Sequence, residues 1–189
     1  MGAVPVSGHE AGVSGVLRVV RVESADGVRG CAKELAEVLV ESVADGASVG
    51  FLEGLDVDTA ARWWESLAPA VAEGRILLWV ARDAGERLLG TVQLHPAPMP
   101  NGRHRADLAK MLVRPGARRR GVARGLLAAA EGAALAAGRT LLVLDTETGS
   151  DAEHLYRSAG WTAAGSVPGY ATDPRGVPRA TTYYYKNLG

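Results

Sequence analysis

Four arginines crowd into a run of seven residues, Arg118-Arg119-Arg120-Gly121-Val122-Ala123-Arg124. The segment before it, His104 to Val113, reads as a strand stopped by Arg114-Pro115. The segment after it, Gly121 to Gly138, is rich in Ala and Leu and reads as a long helix. A strand, a basic glycine-containing loop and a helix start form an anion site. The first backbone N–H groups of a helix have no partner inside it, and the helix dipole adds positive potential there. Phosphate is the anion such a site takes. Gly121 and the small Ala123 would let a pyrophosphate approach the main chain closely. Read alone, the run also fits a solvated basic turn. A nucleic-acid patch is disfavoured, because the run is compact, no aromatics interleave it and the formal net charge is +0.

Two carboxylates and a phenol accompany this loop. Asp107 lies on the strand that leads into it, and Asp145 ends the apolar run Thr140 to Asp145. Carboxylates so placed can bind a cationic amine and accept its proton. Strict alternation puts Asp107 on one strand face with Ala109, Met111 and Val113, and a carboxylate among such neighbours should have a raised pKa. The plainer readings are a salt bridge from Asp107 to Arg105 or Lys110 and a turn aspartate at Asp145. Tyr156 stands four residues after Ala152, on the same face of a predicted helix over Ser150 to Ala159. By itself it reads as a core tyrosine.

The elements that must position these groups follow from periodicity. Val16 to Val22 is strand-like, and Val28 to Val43 carries apolar residues at helical spacing. Asp56 or Asp58 can cap a second helix running to about Glu73, with Trp63, Leu67, Ala70 and Val71 as its buried stripe. Arg75 to Arg82 and Arg87 to His95 form a hairpin through Asp83 to Glu86. Thr140 to Asp145 suits a strand buried on both faces. Trp161 to Val167 and Thr181 to Lys186 are the last strands, with Pro168 to Arg179 a loop between them. The order is strand, two helices, three strands, helix, strand, helix, two strands. It predicts an α/β domain over 16–189, with a mixed sheet of about seven strands and about four helices on its two faces. Residues 1–15 read as a flexible arm.

Bulk properties narrow the function classes. The chain has 189 residues, 47% of them hydrophobic and 22% charged, as in an ordinary globular domain. No signal peptide is expected, and the apolar stretch Leu126 to Ala137 is too short to span a bilayer. A single cysteine, Cys31, excludes an intrachain disulfide and suits the cytoplasm. It falls on the buried face of the first helix and reads as packing. His9, His95 and His154 have no ligand spacing with Cys31, so no metal is expected. Phe51, Leu52 and Trp79 are candidates for lining an acceptor pocket, with core packing the commoner role for Trp79. Tyr170 is a loop aromatic that can cover a substrate. His104 and Glu147 are lesser candidates for proton transfer and cation binding.

Arg118, Gly121 and Ala123 fall at the spacing of the acyl-CoA signature of GNAT N-acetyltransferases, and Ala152-x-x-x-Tyr156 followed by Gly160-Trp161 resembles that superfamily's second motif. The resemblance implies a mostly antiparallel GNAT sheet and acetyl-CoA as co-substrate. It implies that the backbone from Arg118 through Arg119, Arg120, Gly121, Val122 and Ala123 to Arg124 cradles the pyrophosphate. Met111, Leu112 and Val113 would pair with pantetheine, Ala152 would lie against it, and Tyr156 would protonate the departing thiolate. Within the superfamily, the runs Asn101 to Val113, Leu144 to Ser150, Val167 to Tyr170 and Thr181 to Leu188 resemble the tabtoxin-resistance acetyltransferases. That narrower resemblance implies Asp107, Asp145 and Tyr156 around the reacting amine, with the amine belonging to a small toxin or antibiotic. The position of Asp107 carries Glu there. Acetylation of a protein or peptide amine and non-catalytic acyl-CoA binding are the other readings. Many members of the superfamily are homodimers, so a homodimer is possible; no nucleic-acid or membrane partner is expected.

Overall fold

The structure is a computed structural model, and it describes residues 17–189. The arm expected over residues 1–15 lies outside the described residues. Seven strands form one sheet in the order β1-β2-β3-β4-β5-β7-β6: β1 Arg18–Val22, β2 Leu77–Arg82, β3 Leu88–Pro96, β4 Arg105–Val113, β5 Leu141–Glu147, β6 Thr162–Thr172 and β7 Pro178–Asn187. Every neighbouring pair is antiparallel except β4 and β5. The helices are α1 Ala25–Ala44, α2 Val57–Ser66, α3 Ala68–Ala72, α4 Val122–Ala136 and α5 Asp151–Ser158. One face of the sheet is packed by α1, α2 and α3, and the other by α4 and α5.

Local chemistry sets these boundaries. Ser24 caps α1 by accepting from the Gly27 N–H, and Asp56 caps α2 by accepting from Thr59 N–H at 2.7 Å. The single helix expected to Glu73 breaks at Leu67, because Pro69 falls in its path. Proline has no N–H to give and its ring crowds the preceding turn, so the chain restarts as α3 with Pro69 in the first turn. The buried stripe also differs from the expected one. Trp64 is fully enclosed, while Trp63 is half-buried at the edge of the core.

Two further expectations are corrected. Pro168 to Arg179 is mostly strand: β6 continues to Thr172, and the turn is confined to Asp173 to Val177. The Asp173 carboxylate organises that turn by accepting from the N–H groups of Arg175 and Val177 and from Arg179. Pro168 to Tyr170 form a bulge between Val167 and Ala171 on an edge strand, where a missing N–H breaks no ladder. The second correction concerns β5. Leu142 and Leu144 are buried beneath α4 and α5, but Leu141 and Val143 are half-buried and Asp145 is exposed. On the other face α1 packs over β3 and β4, which leaves β5 only partly covered there.

Candidate active site

The parallel ladder between β4 and β5 consists of Arg105–Leu141, Ala106–Leu142 and Asp107–Val143, and then ends. Both strands continue, β4 to Val113 and β5 to Glu147, without pairing to each other. They diverge toward their carboxyl ends, and the β5-facing backbone edge from Leu108 to Val113 has no strand partner. A crevice at the carboxyl ends of parallel strands is where α/β sheets bind ligands.

The basic loop lies at the mouth of this crevice. A short 3₁₀ turn, Pro115–Ala117, follows β4, and Gly121 at φ 81° is the N-cap of α4. A left-handed conformation is natural for glycine, and nothing lies within 4 Å of where a Cβ would stand. Among the described residues, the N–H groups of Arg119 to Arg124 have no acceptor. Six adjacent free donors and the start of a 15-residue helix form a cradle that can accept an anion. Arg118 itself is engaged with Asp45 at the C-terminal end of α1, at 2.5 Å. Among the described residues, the unpaired charge therefore comes from Arg119, Arg120 and Arg124.

Arg114, a residue for which the sequence suggested no role, fixes the loop. Its side chain is buried, donates to the Leu88 carbonyl at 2.7 Å and forms ion pairs with Glu37 and Glu41 on α1. Glu34, one turn earlier, pairs with Arg82 at 2.7 Å. One stripe of α1 thus carries acids that hold the ends of β2, β4 and the cradle. Arginines at Arg82, Arg114 and Arg118, read against acids three to four residues apart on α1, were the available signal.

The expected facing of β4 is corrected by a bulge. Gln93 pairs with Ala109 and Thr91 with Leu112, so Lys110 and Met111 together face one residue, Val92. Lys110 takes up the extra residue at φ 49°. Alternation reverses there. Met111 and Val113 pack beneath α4 and Leu112 enters the core under α1. Asp107 thus does not share a face with Met111 and Val113, and its side chain is 51% exposed with Arg105 at 3.8 Å. The apolar enclosure expected around this carboxylate is absent.

Asp107, Lys110 and Asp145 nonetheless gather at the opening between β4 and β5, together with His95. Burial pushes the His95 imidazole below its ordinary value, against the raising effect of Asp107. Burial likewise lowers the Lys110 ammonium, against the attraction of Asp145. Asp145 lies opposite Tyr183 on β7, whose ring meets Tyr170 edge-on at 5.7 Å. Tyr170 is 51% exposed and stands on the β6 bulge. The Tyr183 hydroxyl is pushed up by the Tyr170 side chain, by burial and by the Asp145 charge.

Tyr156 projects from α5 into the layer beneath α4, packed with Trp161 and Tyr184 at ring distances of 5.7 and 6.2 Å. Ala152 packs beside it. Burial, and then Asp145, push its phenol far above the ordinary value, so it stays protonated across the physiological range. The neighbouring Tyr184 hydroxyl donates to Glu153 and accepts from Arg157. Tyr156 makes no such bond among the described residues and is 5% exposed.

A loop closes over the α1 side of the sheet, where Lys110 lies. Ser48 Oγ donates to the Thr172 carbonyl at 3.0 Å, and Glu53 N–H to the Pro174 carbonyl at 2.8 Å. The segment between them carries Phe51, which packs edge-on against Trp63 at 5.1 Å. Phe51 therefore belongs to the roof, whereas Leu52 is exposed. Trp79 lies in the α4-side core and takes no part. Glu147 is held near Arg179, and His104 is exposed. Cys31 is buried in α1, its thiol donating to the Gly27 carbonyl. No cluster of metal-binding side chains occurs among the described residues, and no helix there is long and apolar enough to cross a membrane.

Comparison with known proteins agrees with this architecture. Residues 47–161 match the family model described as "Acetyltransferase (GNAT) family". A GCN5-related N-acetyltransferase from Kribbella flavida shares 26% identity at a TM-score of 0.72, over 91% of this chain and 98% of that one. A Salmonella typhimurium protein solved with its cofactor acetyl-CoA superposes at 0.71 with 18% identity, over 92% of this chain and 94% of that one. Ribosomal-protein-alanine N-acetyltransferase from Brucella melitensis does so at 0.71 with 21% identity, over 92% and 99%. Its family match spans the crevice, the cradle and Tyr156, and this chain belongs to the GNAT family of acetyltransferases.

Proposed function

We propose that the chain transfers the acetyl group of acetyl-CoA to the amine of a small molecule, by direct attack, as in resistance to a toxin or antibiotic amine. The roof carries the choice of a small acceptor. Bonds from Ser48 and Glu53 to the β6–β7 turn bridge the acceptor face, where a peptide would need an open groove. The narrower resemblance to tabtoxin-resistance enzymes points the same way, as does the acidic pair beneath the roof. A cytoplasmic setting fits the lone, buried thiol.

In this reading the pyrophosphate sits on the N–H row of Arg119 to Arg124, and pantetheine continues the sheet along the free edge of Met111 to Val113. The acceptor arrives as an ammonium and is drawn to Asp107 and Asp145. One of these carboxylates takes its proton, directly or through water. The neutral nitrogen attacks the thioester carbonyl, forming the N–C bond while N–H groups of β4 stabilise the oxyanion. The C–S bond then breaks, and Tyr156 gives its proton to the thiolate. The phenol is recharged by the proton released from the amine. Desolvation keeps Tyr156 protonated until the thiolate forms.

The test is release of CoA thiol from acetyl-CoA over a panel of amino-acid antibiotics, polyamines and peptides with free N-termini. Selective turnover of a small amine is expected. Preference for peptides would move the acceptor to proteins, and binding of acetyl-CoA without any turnover would leave a sensor.

A further inference from the structure

Half-buried cations in this chain are matched to acceptors. Arg82 has Glu34, Arg114 has Glu37 and Glu41, and Lys186 has Glu131 at 2.7 Å. Lys110 departs from the pattern. Among the described residues it has neither a hydrogen bond nor a carboxylate within 4.0 Å. Its ammonium instead lies 5.6 Å from the centre of the Trp63 ring, and 3.9 Å from where a Cβ on Gly50 would stand. The bulge holds this non-glycine residue at positive φ and so turns it to the roofed face. Strained residues of this kind persist where the surrounding structure demands them, and they cluster at ligand sites.

We infer that Lys110 receives an anionic group of the acceptor, so that the amine acetylated here also carries a carboxylate close to its amino group. This rests on the acceptor site proposed above. The charges beneath the roof are then amphoteric: Asp107 and Asp145 take the ammonium end, and Lys110 beneath Gly50 takes the carboxylate end. Trp63 sets the ammonium in place but leaves its charge without a counter-ion, since a ring face attracts a cation far less than a carboxylate does at such a site. Asp145 is near enough to attract Lys110 but makes no ion pair with it. That spacing leaves the carboxylate free for the amine.

Matched acceptors that differ only in a carboxylate or its primary amide, such as an amino acid and its amide, test this directly. Wild type should favour the acid by about 10- to 100-fold in kcat/KM, the size of one charge-assisted hydrogen bond. In Lys110→Met the acid-to-amide ratio should fall to about one, and Lys110→Arg should keep much of it. Equal use of acid and amide by wild type overturns the inference, whatever the variants do, and so does an undiminished ratio in Lys110→Met. Absence of thiol release with every amine would instead refute the acetyl-transfer reading. Lys110 is then judged by thermal shift with the same amino acids in the presence of CoA. Protection confined to wild type and Lys110→Arg supports the anion receptor; equal protection in Lys110→Met overturns it.

Discussion

Asp107 on β4 and Val143 on β5 are the last residues that pair the two parallel strands. Asp107 therefore stands at the apex of the crevice, where the sheet stops being continuous. A carboxylate at this point lies beside the first free backbone groups of β4, so acceptor binding and carbonyl polarisation can share one location.

Tyr156→Phe should lower kcat by about 10²–10⁴-fold, the usual contribution of a positioned acid. Acetyl-CoA affinity should change little, because the cradle is untouched. Asp145→Asn should behave similarly and also raise KM for the amine. Steady-state kinetics with a direct binding measurement for acetyl-CoA separate the two effects. Full turnover in both variants would remove them from the chemistry.

Gly121→Val should act on the cofactor alone. A β-branched residue at φ 81° is strained, and its side chain would stand before the free N–H row. We expect KM for acetyl-CoA to rise about tenfold or more, with kcat retained at saturation. An unchanged KM would mean that the pyrophosphate does not sit on this loop.

Gly90→Ala should cost stability and disturb the edge of β4 at Leu112 and Val113. A Cβ there would lie 2.5 Å from the Leu112 carbonyl oxygen and 3.3 Å from Leu126 Cδ1, so β3, β4 and α4 would have to separate. A loss of about 1–3 kcal/mol is expected from overpacking of this kind. Urea unfolding of the two proteins measures it.

Acid should weaken the fold beginning near neutrality. The His95 imidazole is held neutral in the folded chain, below its ordinary value of 6.5. The unfolded chain then binds more protons than the native one below about pH 6.5, so stability falls as pH drops through that value. Glu34 and Asp173, both held below the ordinary carboxylate range, lose their contribution at lower pH as they protonate. His95→Gln should flatten the dependence between about pH 6.5 and 5 while leaving the steeper acid limb. Urea midpoints across that range would show an unchanged slope if His95 were not responsible.

The cradle was legible because its parts are local. A proline stop, a glycine able to turn left-handed and a helix start occupy adjacent positions, and nearest-neighbour sterics settle them whatever the rest of the chain does. The order of elements was legible for the same reason, and so was the cap at Asp56. Several features were not. Pro168-Gly169 reads as loop, yet it became a strand bulge because β7 supplies a partner across the turn built by Asp173. Alternation along β4 reads without interruption, yet Lys110 breaks it, since only the pairing with β3 reveals one residue facing two. Trp64 rather than Trp63 is the enclosed tryptophan of α2, since packing against α1 decides the buried face.

From its sequence alone, the chain's family resemblance, element order and the basic turn before α4 can be read, because each depends on residues within a few positions of one another. The divergence of β4 from β5, the roof tied from Ser48 to Thr172 and the gathering of Asp107, Lys110 and Asp145 beneath it were decided only by tertiary structure. Those contacts join residues far apart in the chain, and which side chains meet depends on strand register, which a single bulge reverses.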